Sequence, residues 1–136
     1  MSSALNEDFV WPLRVYYEDT DAGGIVYHAN YLRFMERART EWLRALGFEQ
    51  DALRQAQNIV FVITRSDLHY ERPARFNDEL IVTSRIERLR RVAIEFEQRI
   101  TTSAGSAVCR AINQVPCVHA ESLKPCRIPE FMMRIF

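Results

Sequence analysis

Apolar and polar positions divide the chain into two kinds of segment. Near the start, Leu13, Val15 and Tyr17 alternate with Arg14, Tyr16 and Glu18. A period of two predicts a strand with one face buried. From about His28 the period lengthens. Tyr31, Leu32, Phe34, Met35, Ala38, Trp42, Leu43 and Leu46 share one helical stripe, and Arg33, Glu36, Arg37, Arg39, Thr40, Glu41 and Arg44 cover the rest. Gly47 follows as a C-terminal stop. The helix spans about 18 residues, longer than the average globular helix, and so wide an aromatic stripe needs a large surface to cover it.

Past the helix, the pattern predicts a short second helix over residues 49–57. A long strand over 59–72 follows, solidly apolar at first and alternating later. Residues 73–78 read as a turn. Further strands fall at 80–86, 92–100 and 108–120, with a hairpin at 88–91 and a turn at 102–106. Residues 1–10 read as a loose lead-in. The tail from 123, with Pro125 and Pro129, reads as irregular before a last apolar segment. No repeat or linker interrupts the chain, so one domain over 1–136 is expected. A strand, one long helix and a run of antiparallel strands is an α+β pattern, in which a curved sheet wraps the helix.

Composition adjusts this picture only slightly. Apolar residues make up 48% and charged residues 26%, as in ordinary globular proteins. Basic and acidic residues both number 18, so no global field recruits nucleic acid or a membrane. The longest aliphatic and aromatic run, 59–63, is far short of the roughly 18 residues of a transmembrane helix. Glu7 and Asp8 stand where a secretory signal would be apolar. Cys109, Cys117 and Cys126 are odd in number and lack a C-x-x-C, which argues against a disulfide frame or a zinc site. Cys109 and Cys117 fall in one strand, about 26 Å apart by strand rise. A reducing cytoplasm is the expected location, and neither a metal nor a cofactor is expected.

The candidate chemistry lies between the first strand and the helix. Asp19, Asp21, Gly23, Gly24 and His28 put carboxylates, flexible backbone and an imidazole beside a helix N-terminus. Free N–H groups and a partial positive charge are found there. Such a place suits the stabilisation of negative charge developing on a substrate oxygen. A solvated turn is the other reading of the two acids. A calcium loop is rejected, because Gly23 and Asn30 occupy positions 5 and 12, where ligands are required. A phosphoryl-transfer Asp-x-Asp is weakened by the lack of a parallel βαβ pattern. His28 has no second His or Cys at ligand spacing, and a surface or capping role stays open for it. No G-x-S-x-G is present and no cysteine has motif support as a nucleophile, which leaves a carboxylate as the reactive group. Arg88, Arg90 and Arg91 form a basic knot on a hairpin. It is either a solvated, edge-protecting turn or a phosphate clamp.

The run Tyr17-x-Asp19-Thr20-Asp21-Ala22-Gly23-Gly24-Ile25-Val26-Tyr27-His28-Ala29-Asn30-Tyr31, continued by Phe34, Glu36 and Arg37-Ala38-Arg39, resembles the 4-hydroxybenzoyl-CoA thioesterase family. Within it, the likeness is to acyl-CoA thioesterases encoded with the Tol–Pal envelope system. Lys124-Pro125-Cys126-Arg127-Ile128-Pro129 resembles that family's closing segment. The resemblance implies a hot-dog fold, a long central helix wrapped by a five-stranded antiparallel sheet. It also implies a homodimer or homotetramer with sites at subunit interfaces. By the same resemblance, acyl-CoA is the substrate, Asp21 rather than Asp19 is the catalytic carboxylate, and His28 acts beside it. Tyr17, Gly24, Tyr27 and Tyr31 are expected at the substrate, and Arg90 and Arg91 at the phosphates of coenzyme A. A slot lined by Tyr31, Phe34 and Met35 is expected to be completed by a second copy. Acyl carrier protein stays open as an alternative thiol carrier. A module that binds acyl-CoA without cleaving it is the competing reading, although pure binding has no use for Asp21.

Overall fold

The computed structural model describes residues 4–136. The strands are β1 (Phe9–Arg14), β2 (Ile59–Phe61), β3 (Arg65–Tyr70), β4 (Glu79–Leu89), β5 (Ala93–Thr102) and β6 (Ala107–His119). The helices are α1 (Asn30–Ala45), α2 (Gln50–Gln57) and the short α3 (Glu130–Met133). The sheet is antiparallel in the order β1-β4-β5-β6, and β2 and β3 both pair with β6. It curls around α1 in the expected hot-dog arrangement.

Three expectations need correction. The sheet has six strands, not five. The long segment 59–72 divides into β2 and β3, although Val62 and Thr64 still donate to the Pro116 and Gln114 carbonyls across the break. The first strand lies earlier than the Leu13–Val15–Tyr17 alternation places it. Phe9 and Val10 of the supposed lead-in already pair with Ser84 and Thr83, and Tyr17 is 79% exposed in a 3-10 turn. Pro12 is tolerated inside β1 because β1 is an edge strand. The beginning of the lead-in, residues 1–3, lies outside the described residues.

The stripe of α1 faces the sheet as its periodicity requires, with Tyr31, Phe34, Met35, Ala38, Trp42 and Leu43 all buried. Burying a large apolar side chain contributes about 1.5–3 kcal/mol over leaving it exposed. The helix ends on Gly47, whose φ of +95° is left-handed. Gly47 N–H donates to the Arg44 carbonyl and Phe48 N–H to that of Leu43, the paired bonds of a Schellman cap. Two apolar clusters result. One lies under the N-terminal half of α1, around Phe34, Met35, Val82 and Ile100. The other lies under its C-terminal half, around Trp42, Phe96, Cys117 and Met132.

Buried polar groups also pack beneath α1. Gln98 donates to Ser84 Oγ and to the Met35 carbonyl, and its Oε1 accepts from Asn113 and Arg39, each at 2.9 Å. Burial lowers the Arg39 pKa to about 10, against the opposing pull of Glu36. Cys109 and Cys117 share β6, as expected. The tail brings the Cys126 sulfur within 3.6 Å of Cys117, a proximity that residue spacing did not reveal; all three cysteines are free thiols.

Candidate active site

The bend from Asp21 to Gly24 is a tight turn closed by the Gly24 N–H on the Asp21 carbonyl at 3.0 Å. Asp21 N–H donates to the Ile25 carbonyl, and Thr20 bridges Val26, so the turn caps a tiny hairpin. Gly24 has φ +79°, which favours glycine. At Gly23 the constraint is milder and bears on how Asp21 is held. The Gly23 N–H donates to Asp21 Oδ1 at 2.8 Å, and a Cβ there would lie 3.1 Å from that same oxygen.

The two acids therefore have different environments. Asp19 is 5% exposed. Its Oδ2 accepts from the Tyr16 N–H at 2.8 Å and its Oδ1 from the Asn30 side chain at 2.7 Å. Its carbonyl takes the Tyr27 N–H. Asp19 thus ties the strand end to the helix start and has no oxygen left over. Asp21 is exposed. Its Oδ1 is held by Gly23, while its Oδ2 accepts nothing from the described residues.

The start of α1 is open. Its N-cap, Ala29, has no capping side chain. The N–H groups of His28, Ala29 and Tyr31 have no acceptor among the described residues, and His28 and Ala29, which are not buried, put two of these donors at the positive end of the helix. His28 is exposed, with its ring 4.5 Å from that of Tyr27. A groove of 390 Å³ opens beside it, walled by Ile25, Val26, His28, Tyr31, Tyr70 and Pro73.

The remaining candidates separate. Tyr17 is exposed and packs on Phe76, with ring centroids 5.1 Å apart. Tyr31 is 3% exposed and still lines the groove. Its hydroxyl accepts the Ala74 N–H at 3.1 Å, and burial is the first cause of its raised pKa. Phe34 and Met35 do not line a slot; both are core residues under α1. Arg90 and Arg91 are exposed on the β4–β5 hairpin, and one chain does not bring them to Asp21. The bend packs against residues 74–78, just before β4, so β4 separates the two by roughly 30 Å of strand rise. Tyr70 was missed by the sequence reading, in which it was one more residue of an alternating strand. Its hydroxyl donates to the His28 carbonyl at 2.8 Å.

The model of the thioesterase-like superfamily matches residues 15–136. The chain belongs to that superfamily. The acyl-CoA thioester hydrolase YbgC of Escherichia coli is 43% identical over 94% of this thioesterase-like chain and 95% of its own length. The acyl-CoA thioesterase YbgC of Haemophilus influenzae is 41% identical, covering 97% and 96%. The crystal structure of a probable thioesterase from Bartonella henselae superposes with a TM-score of 0.85 at 34% identity, over 90% of this chain and all of that one.

Proposed function

We propose that the protein hydrolyses acyl-CoA thioesters to the free acid and coenzyme A, with Asp21 as the catalytic carboxylate. The observation that carries the assignment is the free Oδ2 of Asp21 in the bend that leads into the uncapped start of α1. Asp19, two residues away, has both oxygens committed to the fold. The two YbgC relatives, similar over nearly their whole length, support the substrate class.

The thioester carbonyl would sit at the helix start, its oxygen facing the free N–H groups of the 28–31 segment. Those donors and the helix dipole stabilise the oxyanion of the tetrahedral intermediate. Asp21 either takes a proton from the attacking water or itself attacks the carbonyl carbon. In the second route an acyl–aspartate anhydride forms and the C–S bond breaks, and water then splits the anhydride and regenerates the carboxylate. In both routes the electron pair of the C–S bond leaves on sulfur. A thiolate with a pKa near 8.5 needs no strong acid to depart. His28, at the same helix start, orients substrate or water. Tyr17, Gly24, Tyr27 and Tyr31 contact the substrate around the bend.

A phosphate role for Arg90 and Arg91 at this site requires a second copy of the chain, because their own hairpin lies at the far end of β4 from Asp21. A homodimer or homotetramer is therefore part of the proposal, as is a cytoplasmic location. Acyl carrier protein is the alternative thiol carrier. Among the described residues no helix is long and apolar enough to cross a membrane.

The test is the release of free thiol from acetyl-CoA through palmitoyl-CoA, which also maps the acyl length. Binding of acyl-CoA without thiol release from any of them would replace the hydrolase with a binding module. A single turnover in ¹⁸O-water tests the anhydride route: label in Asp21 would establish it, with water attacking the aspartyl carbonyl of the anhydride.

A further inference from the structure

We infer that Tyr70 is a positioning residue: by holding the His28 carbonyl it aims the His28 backbone N–H at the thioester oxygen. The inference rests on the site proposed above and adds a residue from the sheet to it.

Two peptide groups meet at His28. In the first, the Tyr27 carbonyl accepts the Asn30 N–H at 2.8 Å. The peptide is planar and trans, so its N–H, which belongs to His28, points the opposite way. That direction leads away from the turn of backbone that starts α1. In the second, the His28 carbonyl accepts the Tyr70 hydroxyl at 2.8 Å. No other hydrogen bond reaches any atom of His28 among the described residues. The residue bearing a candidate oxyanion donor is thus held on its carbonyl side by Tyr70 alone.

Tyr70 is well placed for this. It is the last residue of β3, opposite Cys109 of β6. Its ring centroid is 5.9 Å from that of Tyr31, whose hydroxyl is in turn engaged by Ala74. Tyr70 lines the groove with Tyr31 and His28, and although the residue is 52% exposed, its hydroxyl reaches the His28 carbonyl. Burial raises the Tyr70 pKa above its ordinary 10.0, so the hydroxyl stays a donor at neutral and mildly alkaline pH.

The test is Tyr70→Phe, which keeps the ring and removes only the donor. Loss of a whole oxyanion donor costs about 10²–10³ in kcat. Loosening one should cost less, about tenfold in kcat, with KM and the thermal midpoint close to the parent. A residue needed only for folding would instead lower the midpoint and leave the kcat of the folded protein alone. The His28 amide is followed in parallel in ¹⁵N-labelled protein, where Tyr70→Phe should shift its resonance and speed its hydrogen exchange. An unchanged His28 amide would overturn the inference whether or not the protein hydrolyses acyl-CoA. A changed amide with parental kcat, in a protein that Asp21→Asn inactivates, would overturn the catalytic role of the contact. Thiol release that survives Asp21→Asn would overturn the underlying site assignment instead, and the amide measurement would still decide the Tyr70 contact.

Discussion

The acidic bend and the β4–β5 hairpin are both conspicuous in the sequence for their charge, yet the fold treats them in opposite ways. In the bend, backbone and side chain are fixed within one chain. Asp19 ties Tyr16, Tyr27 and Asn30 together, and Asp21 is aimed by the Gly23 N–H. At the hairpin only the backbone is fixed, by the Arg90 N–H on the Ala93 carbonyl and the Ile128 N–H on that of Arg91. The side chains of Arg88, Arg90 and Arg91 make no hydrogen bond to the described residues. A charge cluster thus defines chemistry locally only where folding consumes some of its members and leaves another free. Where folding consumes none, the role depends on what a partner or ligand brings.

The sharpest way to break this comparison is to exchange the fates of the two acids. Asp21→Asn should keep the fold, because an amide oxygen can still accept the Gly23 N–H, while turnover falls by about 10²–10⁴ as a base or nucleophile is lost. Asp19→Asn should do the reverse. An amide offers one acceptor oxygen where Asp19 uses two, and an unmet buried donor costs about 1–3 kcal/mol. Its thermal midpoint should therefore drop by several degrees while the protein that remains folded keeps much of its activity. Near-normal turnover in Asp21→Asn alongside its loss in Asp19→Asn would reverse the assignment.

His28 comes next in size. If it orients rather than reacts, His28→Ala should lower turnover by less than Asp21→Asn does. A variant with full activity and the parental pH–rate profile would place His28 outside the chemistry.

How much of this was legible in the sequence follows from the same contrast. The long helix, its buried stripe and its Gly47 stop were readable because period and capping are local. The inward positions of Ser84 and Gln98 were also readable, since they keep the register of Leu80, Val82, Phe96 and Ile100. The first strand was misplaced because Tyr17 continues an apolar alternation that the chain abandons after Val15. The break between β2 and β3 was hidden because the apolar run crosses it without a Gly or Pro. In the site, the acidic motif was visible, but which acid is consumed depends on Asn30 and on Tyr16, whose N–H carries no side-chain signature. Tyr70 is 42 residues from His28 in the chain, and no local pattern could link them.

The hairpin has its own test, with a smaller expected effect. Changing Arg90 and Arg91 to Ala should raise KM for acyl-CoA several-fold with little change in kcat, since phosphate contacts lie far from the reacting bond. An acyl-pantetheine, which lacks the distal phosphates, should respond hardly at all. Added salt should weaken the parent more than the double variant, because exposed charges are screened. Equal responses from both substrates would make these arginines a solvated hairpin. Light scattering completes the test, because an active monomer would exclude a contribution from a second copy.

The smallest effect uses the thiols of β6 as reporters of the two ends. Cys109 pairs with Tyr70 beside the bend, whereas the Cys117 N–H bonds the Val92 carbonyl beside the hairpin. Burial first, then the charge of Glu71, pushes the Cys109 thiol from 9.0 up to about 12. The sign follows from proton counts. Below pH 9 the thiol is protonated in both the folded and the unfolded chain, and stability does not depend on it. Between about 9 and 12 the unfolded chain has released this proton and the folded chain has kept it. Unfolding then gains, and stability falls as pH rises, by at most about 1.4 kcal/mol per pH unit for one group. Cys117, also raised to about 12 by burial, adds a loss of the same sign, and Tyr31 and Tyr70 do so above pH 10. The informative quantity is therefore a difference between variants. Urea midpoints from pH 7 to 10 should fall less steeply above pH 9 in Cys109→Ala than in the parent, whatever the cavity costs at neutral pH. Parallel curves would mean that the thiol beside the bend titrates as if exposed, and that this end of the sheet opens as readily as the hairpin end.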